Sequence, residues 1–190
     1  MKSILPAICL LIFPCLVFSA ENQAENILLH QRDSGGWPKN YDRESGRSEA
    51  EKKKLRGKKS DRDTTFDNGA THTEVCYLAK EFLKSADPRY REAALKGIEF
   101  MLEAQYANGG WPQRFPNPSG YSTHITFNDG AMIGVMSVLR DIHEDREAYP
   151  FISDELRERC DKAVERGIPC ILKCQIVAKG KRTAWCAQHD

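Results

Sequence analysis

A chain of 190 residues, 41% of them hydrophobic, can build one domain with a sizeable core but not two ordinary ones. Its 28 Lys and Arg stand against 27 Asp and Glu, and a net charge of +1 excludes a molecule built as a polyanion trap. The one basic run, Lys52-Lys53-Lys54-Leu55-Arg56-Gly57-Lys58-Lys59, has acidic neighbours at Glu49, Glu51, Asp61 and Asp63 and no interleaved aromatics. It therefore reads as a solvated loop, and no nucleic-acid partner is expected.

Residues 1–20 carry a secretory signal pattern. Lys2 is the charged start, Ile4 to Phe18 is an apolar stretch interrupted by Pro6 and Pro14, and Ser19-Ala20 offers a small-residue cleavage site. The stretch is too short and too proline-broken to span a membrane. Pro14 stands where a lipobox needs a small residue before Cys15, so no membrane anchor is expected. The mature domain is expected at 21–190, secreted or periplasmic and monomeric. It keeps five cysteines: Cys76, Cys160, Cys170, Cys174 and Cys186. Five is odd, too sparse for a disulfide framework, and lacks the C-x-x-C pairs of a zinc site. Core thiols with at most one disulfide are the expectation.

Ile27-Leu28-Leu29-His30-Gln31 ends a short helix, and Gly35-Gly36-Trp37-Pro38 enforces a turn. Residues 40–63 lack periodicity and read as a long loop. Val75, Leu78, Ala79 and Phe82 then fall at i, i+3, i+4 and i+7 of a helix. Asp87 caps the next one, with Pro88 at its first position and Ala94, Leu95, Ile98, Met101 and Leu102 on its stripe. A third helix carries Met132, Val135, Met136, Leu139 and Ile142. A fourth, capped at Ser153-Asp154, carries Leu156, Cys160, Ala163 and Val164, and Pro169 should break or kink it.

The chain repeats itself. Ile27-Leu28-x-x-Gln31 with Gly-Gly-Trp37-Pro38 returns as Met101-Leu102-x-x-Gln105 with Gly-Gly-Trp111-Pro112, about 74 residues on. A degenerate third copy has Ile171-Leu172, then Gln175, Gly180 and Trp185. No useful period-2 runs occur, so the expected fold is all-α, an incomplete α/α toroid of repeated helical hairpins with long loops. Loop tryptophans repeated in this way are expected to pack between helices more than to stack on sugar rings.

Two strings stand out against this frame: Thr65-Phe66-Asp67-Asn68-Gly69-Ala70-Thr71 and Thr126-Phe127-Asn128-Asp129-Gly130-Ala131-Met132. Each sets one Asp beside one Asn ahead of an apolar helical pattern. Such oxygen-rich pairs suit a hard cation or a sugar hydroxyl, and they also suit helix N-caps. Both readings stay open at this level.

These segments, with Gly35 to Asn40, Gly109 to Gln113, Ile125 to Met132 and Arg182-Thr183-Ala184-Trp185-Cys186-Ala187-Gln188-His189-Asp190, resemble the family 10 polysaccharide lyases, the pectate lyases with an incomplete α/α toroid. The resemblance implies calcium-assisted β-elimination of polygalacturonate, the de-esterified form of pectin. It makes Asp67 and Asp129 candidate Ca2+ ligands, and Asp67, Asn68 and Asp129 candidate substrate contacts. Lys181 and Arg182, expected in a turn before Trp185, are candidates for a uronate carboxylate, and His189 and Asp190 for the cleft lining. The family takes its proton with an arginine beyond the His-Asp string, whereas this chain stops at Asp190. The expectation is thus the N-terminal part of a catalytic domain, with the base and one cleft wall missing, little turnover, and apolar faces left open. A glycoside hydrolase using Asp67 and Asp129 as its acid and base, or a non-catalytic carbohydrate-binding fragment, are the rival readings.

Overall fold

The computed structural model describes residues 23–190, so the signal-peptide reading of 1–20, with Cys9 and Cys15, lies outside the described residues. A helix across 23–30 (α1) is followed by α2 (Glu49–Arg56) and by two long antiparallel-packed hairpins. The first pairs α3 (His72–Ser85) with α4 (Pro88–Glu103); the second pairs α5 (Ala131–Glu144) with α6 (Asp154–Lys173). The apolar stripes predicted from sequence face the core. Val75, Leu78, Ala79, Ala94, Ile98, Met101, Met132, Val135, Leu139 and Ile142 are all buried. Asp87 accepts from the Arg89 N–H and Ser153 from the Leu156 N–H, so both helix starts are capped as their sequences predict.

Three details differ from expectation. Residues 40–63 are not all loop: α2 starts in a capping box, where the Ser48 side chain accepts from Glu51 N–H and Glu51 returns the bond to Ser48 N–H. No residue of α2 is buried, so apolar periodicity was silent and only the Ser-x-x-Glu signature marked it. Helix α6 runs through Pro169. Pro169 and Glu165, whose carbonyl loses its N–H partner, are both exposed, so water can satisfy what the proline removes. Short antiparallel pairs also decorate the helices: β1 (Ile125–Thr126) with β4 (Gln188–His189), and β2 (Gln175–Ala178) with β3 (Lys181–Trp185). All five described cysteines are free, with Cys160, Cys170 and Cys174 buried, as core thiols should be.

The sequence repeat is a packing rule. Gln31 Nε2 donates to its own turn at Gly35 O (2.9 Å) and to Ala93 O of α4 (2.9 Å). Gln105 Nε2 does the same at Gly109 O (3.0 Å) and Ala163 O of α6 (2.8 Å). Trp37 Nε1 donates to Ile27 O (2.7 Å) and Trp111 Nε1 to Met101 O (2.8 Å). Each tryptophan is then sealed by the following hairpin. A Cβ on Gly97 would stand 2.9 Å from Trp37 Cζ3, and one on Gly167 would stand 3.2 Å from Trp111 Cζ3. Gly35 and Gly109 have φ of +98° and +91°, and a Cβ at either would collide with a carbonyl of the covering helix, Lys96 O or Arg166 O. Both indoles are fully buried, as predicted for loop tryptophans that pack between helices.

Candidate active site

The two Thr-Phe-Asx strings form 3-10 turns, Asp67–Gly69 and Asn128–Gly130, each just ahead of a core helix. The same tryptophan loops hang them in place. Thr65 N–H donates to Trp37 O (3.0 Å) and Thr126 N–H to Trp111 O (3.1 Å). Phe66 N–H donates to Gln113 O (2.9 Å), two residues past Trp111, and Phe127 N–H to Ala187 O (2.8 Å), two residues past Trp185. Every turn is therefore suspended between the loop of its own unit and that of the next, and the two turns pack against each other.

The helix-cap alternative for the Asx pairs is not realised. The residue before α3 is Thr71, with no side-chain cap, and α5 follows Gly130 directly. Instead the second Asx of each string takes the left-handed conformation, Asn68 at φ 53°, ψ 34° and Asp129 at φ 52°, ψ 23°. Short polar side chains tolerate this region better than other non-glycine residues.

Because the Asp/Asn order is swapped, the two carboxylates come from different corners of their turns and meet. Asp67 is buried, Asp129 is exposed, and their side chains are within hydrogen-bonding reach of each other. Lys39 Nζ donates to Asp67 Oδ2. Burial pushes the Asp67 carboxyl up, but the Lys39 ammonium, the contact with Asp129 and the Asn68 N–H outweigh it, leaving the group below the ordinary carboxylate range. Asn128 Nδ2 donates to Asp129 Oδ2 (2.6 Å), and Asn68 Nδ2 to Asn40 Oδ1 (3.0 Å). The segment carrying Lys39 and Asn40 is anchored by buried Glu74, which accepts from Tyr41 Oη (2.9 Å) and from Arg43.

Asn128, the Asn of the second string, thus joins the cluster with Lys39 and Asn40, neither of which was singled out from sequence. The available signal was position: Lys39 and Asn40 directly follow a Trp-Pro that the repeat places beside the Asx turn. His189 pairs with Ile125 across β4 and β1, which brings the His189-Asp190 end alongside the strand leading into the Asn128–Gly130 turn. Lys181 and Arg182 are corrected from turn to strand: they open β3, paired with Ala178 and Val177, and both are exposed. The structure does not bring them into the carboxylate cluster.

Among the described residues no group of three or more His, Cys, Asp or Glu side chains comes together. Ca2+ takes six to eight oxygens, commonly including carboxylates and amide carbonyls. The paired carboxylates of Asp67 and Asp129, with amides beside them, fit as one side of such a shell and leave the other side to a bound carboxylate and water.

Residues 31–190 match the family described as Pectic acid lyase. Two solved structures are similar at 36% identity over 90% of this chain: the family 10 polysaccharide lyase from Cellvibrio cellulosa, TM-score 0.77, and an aspartate-to-alanine mutant of a Cellvibrio cellulosa family 10 lyase in complex with trigalacturonic acid, TM-score 0.78. The chain spans 51% of each of those chains, about half their length. A search of curated proteins gave no match. The chain belongs to the pectic acid lyases, polysaccharide lyase family 10.

Proposed function

We propose that this chain forms the calcium-holding side of a secreted, monomeric pectate lyase cleft that cleaves polygalacturonate by β-elimination. The observation that carries this is the meeting of Asp67 and Asp129, with the Lys39 ammonium on the buried member. Asp67 and Asp129 would hold the metal through carboxylate oxygens, and the Lys39 ammonium favours the ionised form of Asp67 that such a role needs. A Ca2+ held there would supply positive charge to offset a bound uronate carboxylate and so acidify the adjacent C5–H. Asn68, Asn128 and His189 line the same edge as hydrogen-bonding groups for sugar hydroxyls.

The same observation weighs against the glycoside hydrolase reading. Glycosidase carboxyl pairs stand roughly 5–9.5 Å apart to leave room for the sugar carbon or a water. Carboxyl groups this close hold a shared proton or a cation between them and leave no gap for a sugar carbon or a water.

The test is the full-length gene product on polygalacturonate with Ca2+ and with a chelator. Ultraviolet absorbance from a new C=C bond, abolished by the chelator, is the expected result. Saturated products released without calcium would overturn the proposal. Binding without turnover by the full-length product would favour a carbohydrate-binding role.

A further inference from the structure

Glu74 is a carboxylate set in the core. It lies in the first turn of α3 with 0% exposure, and a charge in such a place is costly unless its partners are held in good geometry. Both of its close partners come from one short arm, Lys39 to Arg43. Tyr41 Oη donates to Glu74 Oε1 (2.9 Å), and Arg43 Nη2 donates to the same oxygen. Arg43 Nη2 also donates to Thr73 Oγ1 (3.1 Å), and that hydroxyl donates to Gly69 O (2.8 Å), the end of the Asp67–Gly69 turn. The Tyr41 ring stacks on His30 with centroids 4.0 Å apart, and the Arg43 guanidinium lies 5.6 Å from its centre. Buried Asn26 holds the rear of the arm, donating to Arg43 O (3.0 Å) and Ser45 O (2.7 Å).

The front of the same arm meets the carboxylate pair. Lys39 Nζ reaches Asp67, and Asn40 Oδ1 accepts from Asn68. Asn40, in the left-handed region at φ 61°, forms the bend between the end that meets the site and the end that meets Glu74. Apolar side chains could fill the space of Glu74 and its partners, but only a carboxylate fixes two donors along set directions. We propose that Glu74 is a positioning residue for the Asp67–Asp129 site: its buried carboxylate fixes the Lys39–Arg43 arm against the Asp67–Gly69 turn. Being fully buried, it acts through Lys39 and Asn40 and not on a ligand. Its place is that of an outer partner orienting the groups around a cation, so the proposal rests on the calcium-holding reading of the carboxylate pair.

Glu74→Gln keeps the shape and an acceptor for Tyr41 but removes the charge that holds Arg43. Two measurements on the 190-residue chain, made well below its melting temperature, separate positioning from stability. The first needs no metal. Nuclear Overhauser contacts between the Lys39 and Asp67 side chains should be present in the parent and largely lost in the variant, while those between Trp37 and Gly97 persist. The second titrates Ca2+ alone against the backbone amide signals of Asp67–Gly69 and Asn128–Gly130, where affinity should fall about tenfold. Lys39–Asp67 contacts absent from the parent, or undiminished in the folded variant, would overturn the proposal. So would a variant with lowered melting temperature but Ca2+ affinity within about twofold of the parent, since Glu74 would then be a structural anchor only. A parent that does not bind Ca2+ would count against the calcium reading, and the metal-free contacts would still decide the role of Glu74. Should Glu74→Gln not fold, Tyr41→Phe keeps the ring on His30 and removes only the hydroxyl bond to Glu74. The same contacts should then weaken and Ca2+ affinity fall about threefold, and no change in either would overturn the proposal.

Discussion

Asn68 and Asp129 share one backbone conformation but carry different side chains, and this mismatch brings two carboxylates together. Both residues sit in the left-handed region at the second position of matched turns. The charge sits at the first position of one turn, Asp67, and at the second of the other. Asp129→Asn therefore separates shape from charge, since Asn is as tolerant of this conformation as Asp. Melting of the variant should stay within about 0.5 kcal/mol of the parent, as for surface changes in general. Calcium-dependent retention in polygalacturonate gels should weaken about tenfold or more in the full-length product, the order expected for one lost charge-assisted contact. Retention unchanged with calcium would remove Asp129 from the site.

Lys39 controls the state of Asp67. Asp67 titrates below the ordinary carboxylate range, so its pairing contributes stability at pH values above the unfolded carboxylate pKa, about 3.9, and that contribution is lost as pH falls through the lowered folded value. Lys39→Met removes the nearest cation and leaves burial unopposed by it. The Asp67 pKa should rise, read from the side-chain carboxyl carbon by NMR with a chelator present. The stability lost at neutral pH should be about 1 kcal/mol or less, because the Lys39 end of the pair is open to water. An unmoved Asp67 titration would show that the pair does not persist in solution.

The elements written in apolar periodicity were legible in the chain, and so was the repeat. Helices α3 to α6 follow their stripes, and Asp87 and Ser153 cap as read. Helix α2 was missed because none of its residues is buried, so its only trace is a local capping box. The β2–β3 hairpin was missed because it replaces the tight Gly-Gly turn of the other units with two short strands, most of them exposed, whose pairing depends on a Lys179-Gly180 turn at positive φ. At the site, Asp67 and Asp129 were legible from two similar strings. Their closeness was not, because contact between carboxylates on separate turns is set by tertiary packing. Lys39 was hidden for the same reason: nothing local to Pro38-Lys39-Asn40 reveals that its ammonium lies on a carboxylate 28 residues away.

The three equivalent glutamines form an internal control. Gln31 and Gln105 each bridge two backbone carbonyls in or near the core, whereas Gln175 makes one long, exposed bond. Gln31→Leu should cost about 2 kcal/mol, since two carbonyls lose a donor in a region water cannot enter, and Gln105→Leu somewhat less because its surroundings are more open. Gln175→Leu in the 190-residue chain should fall within about 0.5 kcal/mol of zero. Urea midpoints of the three variants give the comparison. Equal losses at all three positions would contradict the repeat as a packing rule.

His72 should make the fold acid-sensitive. It opens α3, its Nε2 is buried without a hydrogen-bond partner, and its ring packs so closely over Gly134 that no Cβ would fit there. Burial, helped by the Arg43 guanidinium, pushes its pKa from 6.5 down to about 4. The folded chain thus keeps His72 neutral where the unfolded chain already takes up a proton. Stability is fully present above pH 6.5 and declines as pH falls towards 4, by ~3 kcal/mol at the limit, with ~2 kcal/mol of that gone by pH 5. His72→Gln fits a neutral polar side chain in the same place and does not titrate, so it should lose less than half as much between pH 7 and pH 5. Urea unfolding of both proteins at the two pH values is the measurement. Parallel losses would place the acid sensitivity elsewhere, in groups other than this imidazole.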